Sequence, residues 1–203
     1  MDTTKIYAIL KKTTHPRIAT DNKGGQWIGD GNAYYNVDGL PELNKDNLLP
    51  VIGIDIDTKS KYTVIEENLP SEEIILRDGA EGDGCVELTD LNICGRTVMR
   101  GVGQNAPKCA FINDAYLKPF SKDDEISFVT READNSVGYI IIVKRGLFTI
   151  AAIAPMFFSQ GACETYAKQL KSDLAAVIEA LQDQGQKTEC GQQITFTEVE
   201  CRN

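Results

Sequence analysis

Apolar residues in the first part of the chain recur at helix and strand spacings. A threonine cap at position 3 or 4 and apolar positions at i, i+3 and i+4 predict a short helix whose stripe is Ile6, Ile9 and Leu10. Two aromatic runs, 26–28 and 33–37, flank a Gly/Asp/Asn turn and predict a hairpin. The chain therefore begins as a helix followed by short strands.

Weaker patterns follow as far as residue 84. They predict a helix over 42–49 that stops at Pro50, strands over 52–56, 62–65 and 72–76, and an acidic, glycine-rich loop over 78–84.

The second half repeats this rhythm more clearly. Its predicted elements are a strand over 109–112, one or two helical turns capped by Asn113 or Asp114 that end near 119–120, strands over 125–130, 139–144 and 147–154, a tight turn at 145–146, a helix over 160–184 and a strand over 193–200. This order predicts an α+β fold in which antiparallel sheets are backed by helices, in one compact unit over 1–203.

Composition narrows the class of protein. With 203 residues, 42% hydrophobic and 25% charged, the chain is neither a disordered, a collagen-like nor a disulfide-stapled sequence. The net charge is −9, and segment 42–90 contains thirteen acidic and four basic residues. The most apolar run, 147–158, contains a proline and is too short to span a bilayer. Without a visible secretory signal, we expect a soluble, cytoplasmic protein with no membrane partner.

The cysteine pattern does not predict a metal site or a catalytic dyad. Six cysteines occur without CxxC spacing, and His15 is the single histidine. A zinc site needs closely spaced Cys and His ligands, and a Cys–His dyad would have to use His15, around which no local signature is found. We therefore expect six reduced, buried thiols and assign no metal, cofactor or catalytic residue.

Four further patterns have structural explanations. Asp55 and Asp57 alternate with isoleucines as on a strand, and Lys59 stands where a calcium loop needs an oxygen ligand. Glycines 79, 82 and 84 lie among acidic residues, which would repel phosphate, and glycines 101 and 103 precede no visible helix. Trp27, Tyr34 and Tyr35 can stack on bases or a sugar if exposed, but cross-strand pairing in the hairpin explains them as well.

Residues 109–156 resemble the closing half-domain of bacterial sliding DNA clamps, the processivity factors of DNA polymerases. In that family a strand leads into an N-x-x-Y-L helix, further strands follow, and the last apolar strand ends in Pro-Met. The matching positions are Phe111, Asn113, Tyr116, Leu117, Ile126, Pro155 and Met156.

The resemblance implies two similar half-domains, 1–90 and 91–158, followed by a C-terminal helix and strand over 159–203. It also implies that helices face duplex DNA, and the candidate contacts are the lysines of the two short helices: Lys5, Lys11, Lys12, Lys118 and Lys122. Clamp rings contain more half-domains than this chain, so the chain would have to form homo-oligomers or remain an isolated clamp-like domain.

The first functional expectation is a non-enzymatic, clamp-like binding or scaffolding protein, DNA-associated and of phage or mobile-element origin. One alternative is a protein-interaction module that uses the acidic segment 42–90 or the C-terminal helix and has no nucleic-acid role. The other is a small enzyme whose acid–base groups would be carboxylate pairs such as Asp55/Asp57 and Asp123/Asp124.

Overall fold

The computed structural model describes residues 1–77, 82–93, 95–102, 105–107, 109–120, 125–132, 138–156 and 172. The chain divides into two units, Met1–Phe157 and Phe158–Asn203, and the elements below belong to the first unit. Apart from residue 172, the predicted helix 160–184 and strand 193–200 lie outside the described residues. The division into half-domains therefore stays a prediction.

Four short α-helices, one 3₁₀ helix and ten strands make up the described part of the first unit. The α-helices are α1 (Thr3–Leu10), α2 (Leu48–Val51), α3 (Glu72–Ile75) and α4 (Asp114–Leu117), and the 3₁₀ helix is Ile56–Lys61. The strands are β1 (Arg17–Thr20), β2 (Gln26–Gly29), β3 (Ala33–Asn36), β4 (Ile65–Asn68), β5 (Gly84–Ile93), β6 (Arg96–Val102), β7 (Cys109–Asn113), β8 (Ile126–Glu132), β9 (Tyr139–Arg145) and β10 (Phe148–Ile153). None of the helices in the described residues is long and apolar enough to cross a bilayer.

The strands form one sheet in the order β4-β1-β2-β3-β10-β9-β8-β5-β6-β7. Its pairs are antiparallel except β1 with β4, which is parallel. Beyond β10 the backbone N–H of Met156 donates to the Phe111 carbonyl at 2.8 Å, which ties the segment after β10 to the edge strand β7. The predicted α+β class with helix-backed antiparallel strands is confirmed, with one parallel pair added.

Strand alternation gives the sheet two buried faces. Ile18 packs in a large core with α1 and α2, and its neighbour Ala19 packs in a smaller core under α3. In the same way, Ile141 of β9 packs in the large core and Ile142 packs in the smaller one. We call the face that contributes to the large core the α1 face, and the face that contributes to the smaller core the α3 face.

A helix followed by a three-strand meander occurs twice. Helix α1 precedes β1-β2-β3, helix α4 precedes β8-β9-β10, and the last strands of the two meanders pair antiparallel with Ala151 opposite Tyr35. The two helices are in contact, and the Asp2 N–H donates to the Pro119 carbonyl at 2.8 Å. Both short helices that carry the candidate lysines therefore lie on the α1 face.

Segment 42–76 departs from the sequence prediction. The predicted strand over 52–56 is instead a turn leading into the 3₁₀ helix, and the strand predicted over 62–65 begins only at Ile65. The predicted strand over 72–76 is helix α3, where adjacent Ile74 and Ile75 are both buried. Pro50 lies inside α2 in its first turn, where a backbone N–H needs no intrahelical acceptor.

Candidate nucleic-acid interface

Helix α1 turns its lysines to solvent because its apolar stripe is buried. The Asp2 side chain accepts hydrogen bonds from the N–H groups of Thr4 and Lys5 at 3.0 and 3.4 Å and so caps the helix. Lys5 lies on α1 and Lys12 lies in the turn that follows its last residue, Leu10, and both residues are exposed. The predicted helix is confirmed, but its cap is Asp2 rather than a threonine, and Lys11 and Lys12 follow its last residue.

Lys11 and Lys12, at the C-terminal end of α1, lie in different settings. The Lys11 N–H continues the helical pattern by donating to the Tyr7 carbonyl at 3.0 Å, and the Lys11 carbonyl accepts from the Tyr62 hydroxyl at 3.2 Å. The Lys11 ammonium approaches the backbone of Gly53. Lys12 instead lines a cleft on the side of α4, so the two side chains diverge.

Helix α4 contributes one described lysine. The Asn113 side chain accepts from the Ala115 N–H at 3.0 Å, as the predicted cap requires. Lys118 directly follows the helix and is exposed. Lys122 lies outside the described residues. The structure therefore brings Lys5, Lys12 and Lys118 to two adjoining helical segments.

A polar cleft of about 340 Å³ separates the end of α1 from α4. Its walls are Ile9, Lys12, Thr13, Asp30, Asn32, Asn113, Ala115 and Tyr116. The Asp30 carboxylate accepts from the Tyr116 hydroxyl at 2.8 Å and from the N–H groups of Asn32 and Ala33 at 2.9 and 3.0 Å. Burial, followed by the hydrogen bond and charge of Asp30, raises the pKa of Tyr116, so this hydroxyl remains a donor. Lys12 is therefore the cationic wall of a cleft whose carboxylate is already hydrogen-bonded.

Two carboxylates, those of Asp2 and Asp114, reduce the net positive charge of the segments that carry Lys5, Lys12 and Lys118. Asp2 lies 3.4 Å from the Lys5 ammonium in an exposed pair, which contributes little to stability. Asp114 accepts from the Thr97 hydroxyl at 2.6 Å and from the Asn92 amide. The remaining lysines can interact with an external anion.

Several alternative sites from the sequence are not supported. Trp27, Tyr34 and Tyr35 are 0%, 6% and 0% exposed, so the hypothesis that they stack on bases or a sugar is wrong. Asp57 lies on the 3₁₀ helix, which removes the predicted strand alternation, and the pair at 123–124 lies outside the described residues. Among the residues that the structure describes, no three His, Cys, Asp or Glu side chains converge as metal ligands.

The cysteine prediction is wrong at one position. Cys85 is an exposed free thiol on β5, opposite Val102 of β6, rather than a buried one. His15 is exposed, and its Nδ1 lies 2.8 Å from the Thr14 hydroxyl. The histidine is thus accounted for by a local contact.

Sequence reasoning missed a buried ionic cluster on the α3 face. The Arg131 guanidinium is 0% exposed and donates from Nε and Nη2 to the two carboxylate oxygens of Asp83 at 2.8 and 3.0 Å. Its Nη1 donates to the carbonyls of Ile74 and Ile75 at 2.7 and 2.9 Å. Arg77 and Lys144 lie 3.3 and 3.5 Å from the same carboxylate.

We expect the contribution of Asp83 to stability to disappear in acid. Burial alone would raise the pKa of its carboxyl, but hydrogen bonding and charge from Arg131, with the hydrogen bond of Arg77 and the charge of Lys144, hold the pKa below its ordinary value. A depressed folded-state pKa stabilises the fold above the unfolded value of about 3.9 and loses that effect as pH falls toward the folded pKa. The stability gap between the parent chain and Asp83→Asn should therefore narrow from pH 7 to pH 3.

Urea unfolding followed by fluorescence of the single tryptophan measures this gap. The matched control is Glu87→Gln, which removes a carboxylate from an exposed pair with Arg100. A gap at Asp83 that stays constant over this pH range would contradict the assignment.

Comparison with protein-family models, with curated proteins and with solved structures finds no significant match to this chain.

Proposed function

We propose that this protein is a non-enzymatic, clamp-like binding protein whose α1 face contacts the phosphate backbone of duplex DNA. The observation that carries the proposal is the side-by-side packing of α1 and α4 at the junction of two helix–meander units. Their exposed lysines, Lys5, Lys12 and Lys118, then belong to one surface. The resemblance of residues 109–156 to sliding clamps supports the same orientation of helices toward DNA.

Contact with phosphates suits the chemistry of this surface. Lysine ammonium groups bind phosphate as point charges and release condensed counterions, which gives affinity without sequence readout. Exposed aromatic rings would favour single strands through base stacking, but the aromatic hairpin residues are buried. Backbone contact with duplex DNA is therefore the binding mode that these side chains favour.

The proposal has further parts. A chain with two half-domains would encircle DNA only as a homo-oligomer, so self-association belongs to the clamp hypothesis. A cytoplasmic location and an origin in a phage or mobile element complete it. A scaffolding role on DNA needs no nucleophile or acid–base pair.

A salt-dependent binding assay tests the contact with DNA. We expect labelled duplex DNA to raise its fluorescence anisotropy with the parent chain at low salt. Replacing Lys5, Lys12 and Lys118 together by alanine should weaken binding at least about tenfold and reduce the slope of log K against log salt by up to about 3.

The control removes three lysines that belong to neither α1 nor α4 nor the turns that follow these helices. Lys45, Lys59 and Lys61 are exposed, and their replacement by alanine changes the net charge by the same amount. This variant should retain most of the affinity. Equal losses in both variants, or no binding of DNA at low salt, would refute the proposed surface.

A further inference from the structure

The hairpin between β9 and β10 presents two large apolar side chains to water. Leu147 is 95% exposed and Phe148 is 78% exposed, whereas Leu91, on another part of the sheet, is 63% exposed. Gly146, with φ +58°, forms the turn that carries them outward. Two adjacent apolar residues held on a tight turn form an anchor of the kind found at protein interfaces.

These side chains border a cleft of about 650 Å³ within the first unit. Its walls are Asp21, Lys23, Gly25, Asn36, Asp38, Leu76, Arg77, Lys144, Gly146, Leu147, Phe148 and Thr149. Leu76 follows α3 and packs against the core of the α3 face. The cleft is therefore on the opposite side of the sheet from α1.

Positive charge on this cleft is only partly compensated. Among the described residues, three cations, Arg131, Arg77 and Lys144, lie within 3.5 Å of the Asp83 carboxylate, and the buried Arg131 binds both of its oxygens. Arg77 and Lys144 are left to line the cleft with a surplus of positive charge.

The two carboxylates in the wall already have donors. Asp21 is 9% exposed and accepts from the Trp27 indole at 3.0 Å and from two backbone N–H groups. Asp38 accepts from the Gln26 N–H at 2.8 Å. Because these two negative charges also line the cleft, we expect it to favour a ligand with a few discrete negative charges over a polyanion.

We propose that this cleft binds a short acidic peptide segment of a partner protein. A large apolar side chain of the segment packs against Leu147 and Phe148, and neighbouring Asp or Glu carboxylates bind Arg77 and Lys144. The arginine fork can hold a carboxylate through two hydrogen bonds. The inference does not depend on DNA binding, since the two surfaces lie on opposite faces of the sheet.

Selection from a library of random short peptides displayed on phage tests the proposal on the full chain. Enriched sequences should combine a Leu, Phe, Trp or Tyr with two or more Asp or Glu residues nearby. A labelled peptide of the enriched sequence should bind the parent chain. Affinity should fall at least about tenfold in Leu147→Ser/Phe148→Ser and in Arg77→Ala.

Matched controls use exposed residues away from the cleft. Leu91→Ser removes an apolar side chain that is 63% exposed, and Arg100→Ala removes a guanidinium that is 69% exposed. Both should bind the peptide like the parent chain. Enrichment of basic peptides, no enrichment at all, or equal affinity in the cleft variants would overturn the proposal. Displacement of the peptide by duplex DNA that depends on Arg77 would also overturn it and assign the cleft to nucleic acid.

Discussion

Replacing Arg131 by methionine is expected to lower the free energy of unfolding by about 3–5 kcal/mol. The substitution leaves the Asp83 carboxylate, whose side chain is 4% exposed, without the two charged hydrogen bonds that now satisfy it. It also removes the donor to the carbonyls of Ile74 and Ile75, so α3 loses its polar attachment to β8. Methionine fills much of the space but donates no hydrogen bond.

Urea unfolding monitored by tryptophan fluorescence gives this difference directly. The matched variant is Arg100→Met, because Arg100 also pairs with a carboxylate across neighbouring strands but is 69% exposed, and it should cost at most about 1 kcal/mol. The double variant Arg131→Met/Asp83→Leu should recover much of the loss, since it no longer buries a carboxylate that has lost its two hydrogen bonds from Arg131. Equal costs for the two arginines would show that Arg131 is not buried as described.

Local sequence patterns could not reveal this cluster. Asp83 and Arg131 are 48 positions apart, and they meet because β5 pairs with β8. Arg131 stands between Thr130 and Glu132, where a polar run at a strand end is typical of solvent exposure. The position is buried because α3 covers this strand. The sequence predicts α3 as a strand, so this cover could not be foreseen.

The accuracy of the fold prediction follows the strength of the local signals. Strands β9 and β10 are apolar runs joined by a glycine turn, and the structure confirms both. The sequence does not predict strands β5 and β6, because their apolar residues are interrupted by Asp90 and Gly101 and several of them are exposed. Segment 52–76 was predicted wrongly because short Ile-rich runs fit a strand and a buried helical turn equally well.

The candidate interface can be predicted only in part, because local sequence signals describe some of its features and not others. Helical spacing exposes Lys5 once Ile6 and Leu10 are buried, so its exposure follows from the sequence. The contact between α1 and α4 depends on the pairing of β3 with β10, more than a hundred residues apart, for which no short motif exists. The sequence alone therefore could not predict that the two segments with lysines lie side by side, because this depends on the order of the strands in the sheet.

Truncating Trp27 to alanine is expected to destabilise the chain by about 3–5 kcal/mol. Its ring is 0% exposed in the core of the α3 face, and its indole N–H donates to Asp21 at 3.0 Å. The truncation leaves a large cavity and removes one of the donors that hold the pKa of the buried Asp21 carboxyl below its ordinary value. Trp27→Phe keeps most of the packing and should cost less.

Because Trp27 is the single tryptophan, unfolding of these variants is followed by far-ultraviolet circular dichroism. Phe148→Ala is the matched truncation of an aromatic residue that is 78% exposed, and it should change stability by less than about 0.5 kcal/mol. If Trp27→Ala were as mild as Phe148→Ala, the indole would have to lie at the surface. The hairpin aromatics would then again be available to stack on bases, and single-stranded nucleic acid would replace duplex DNA as the favoured ligand.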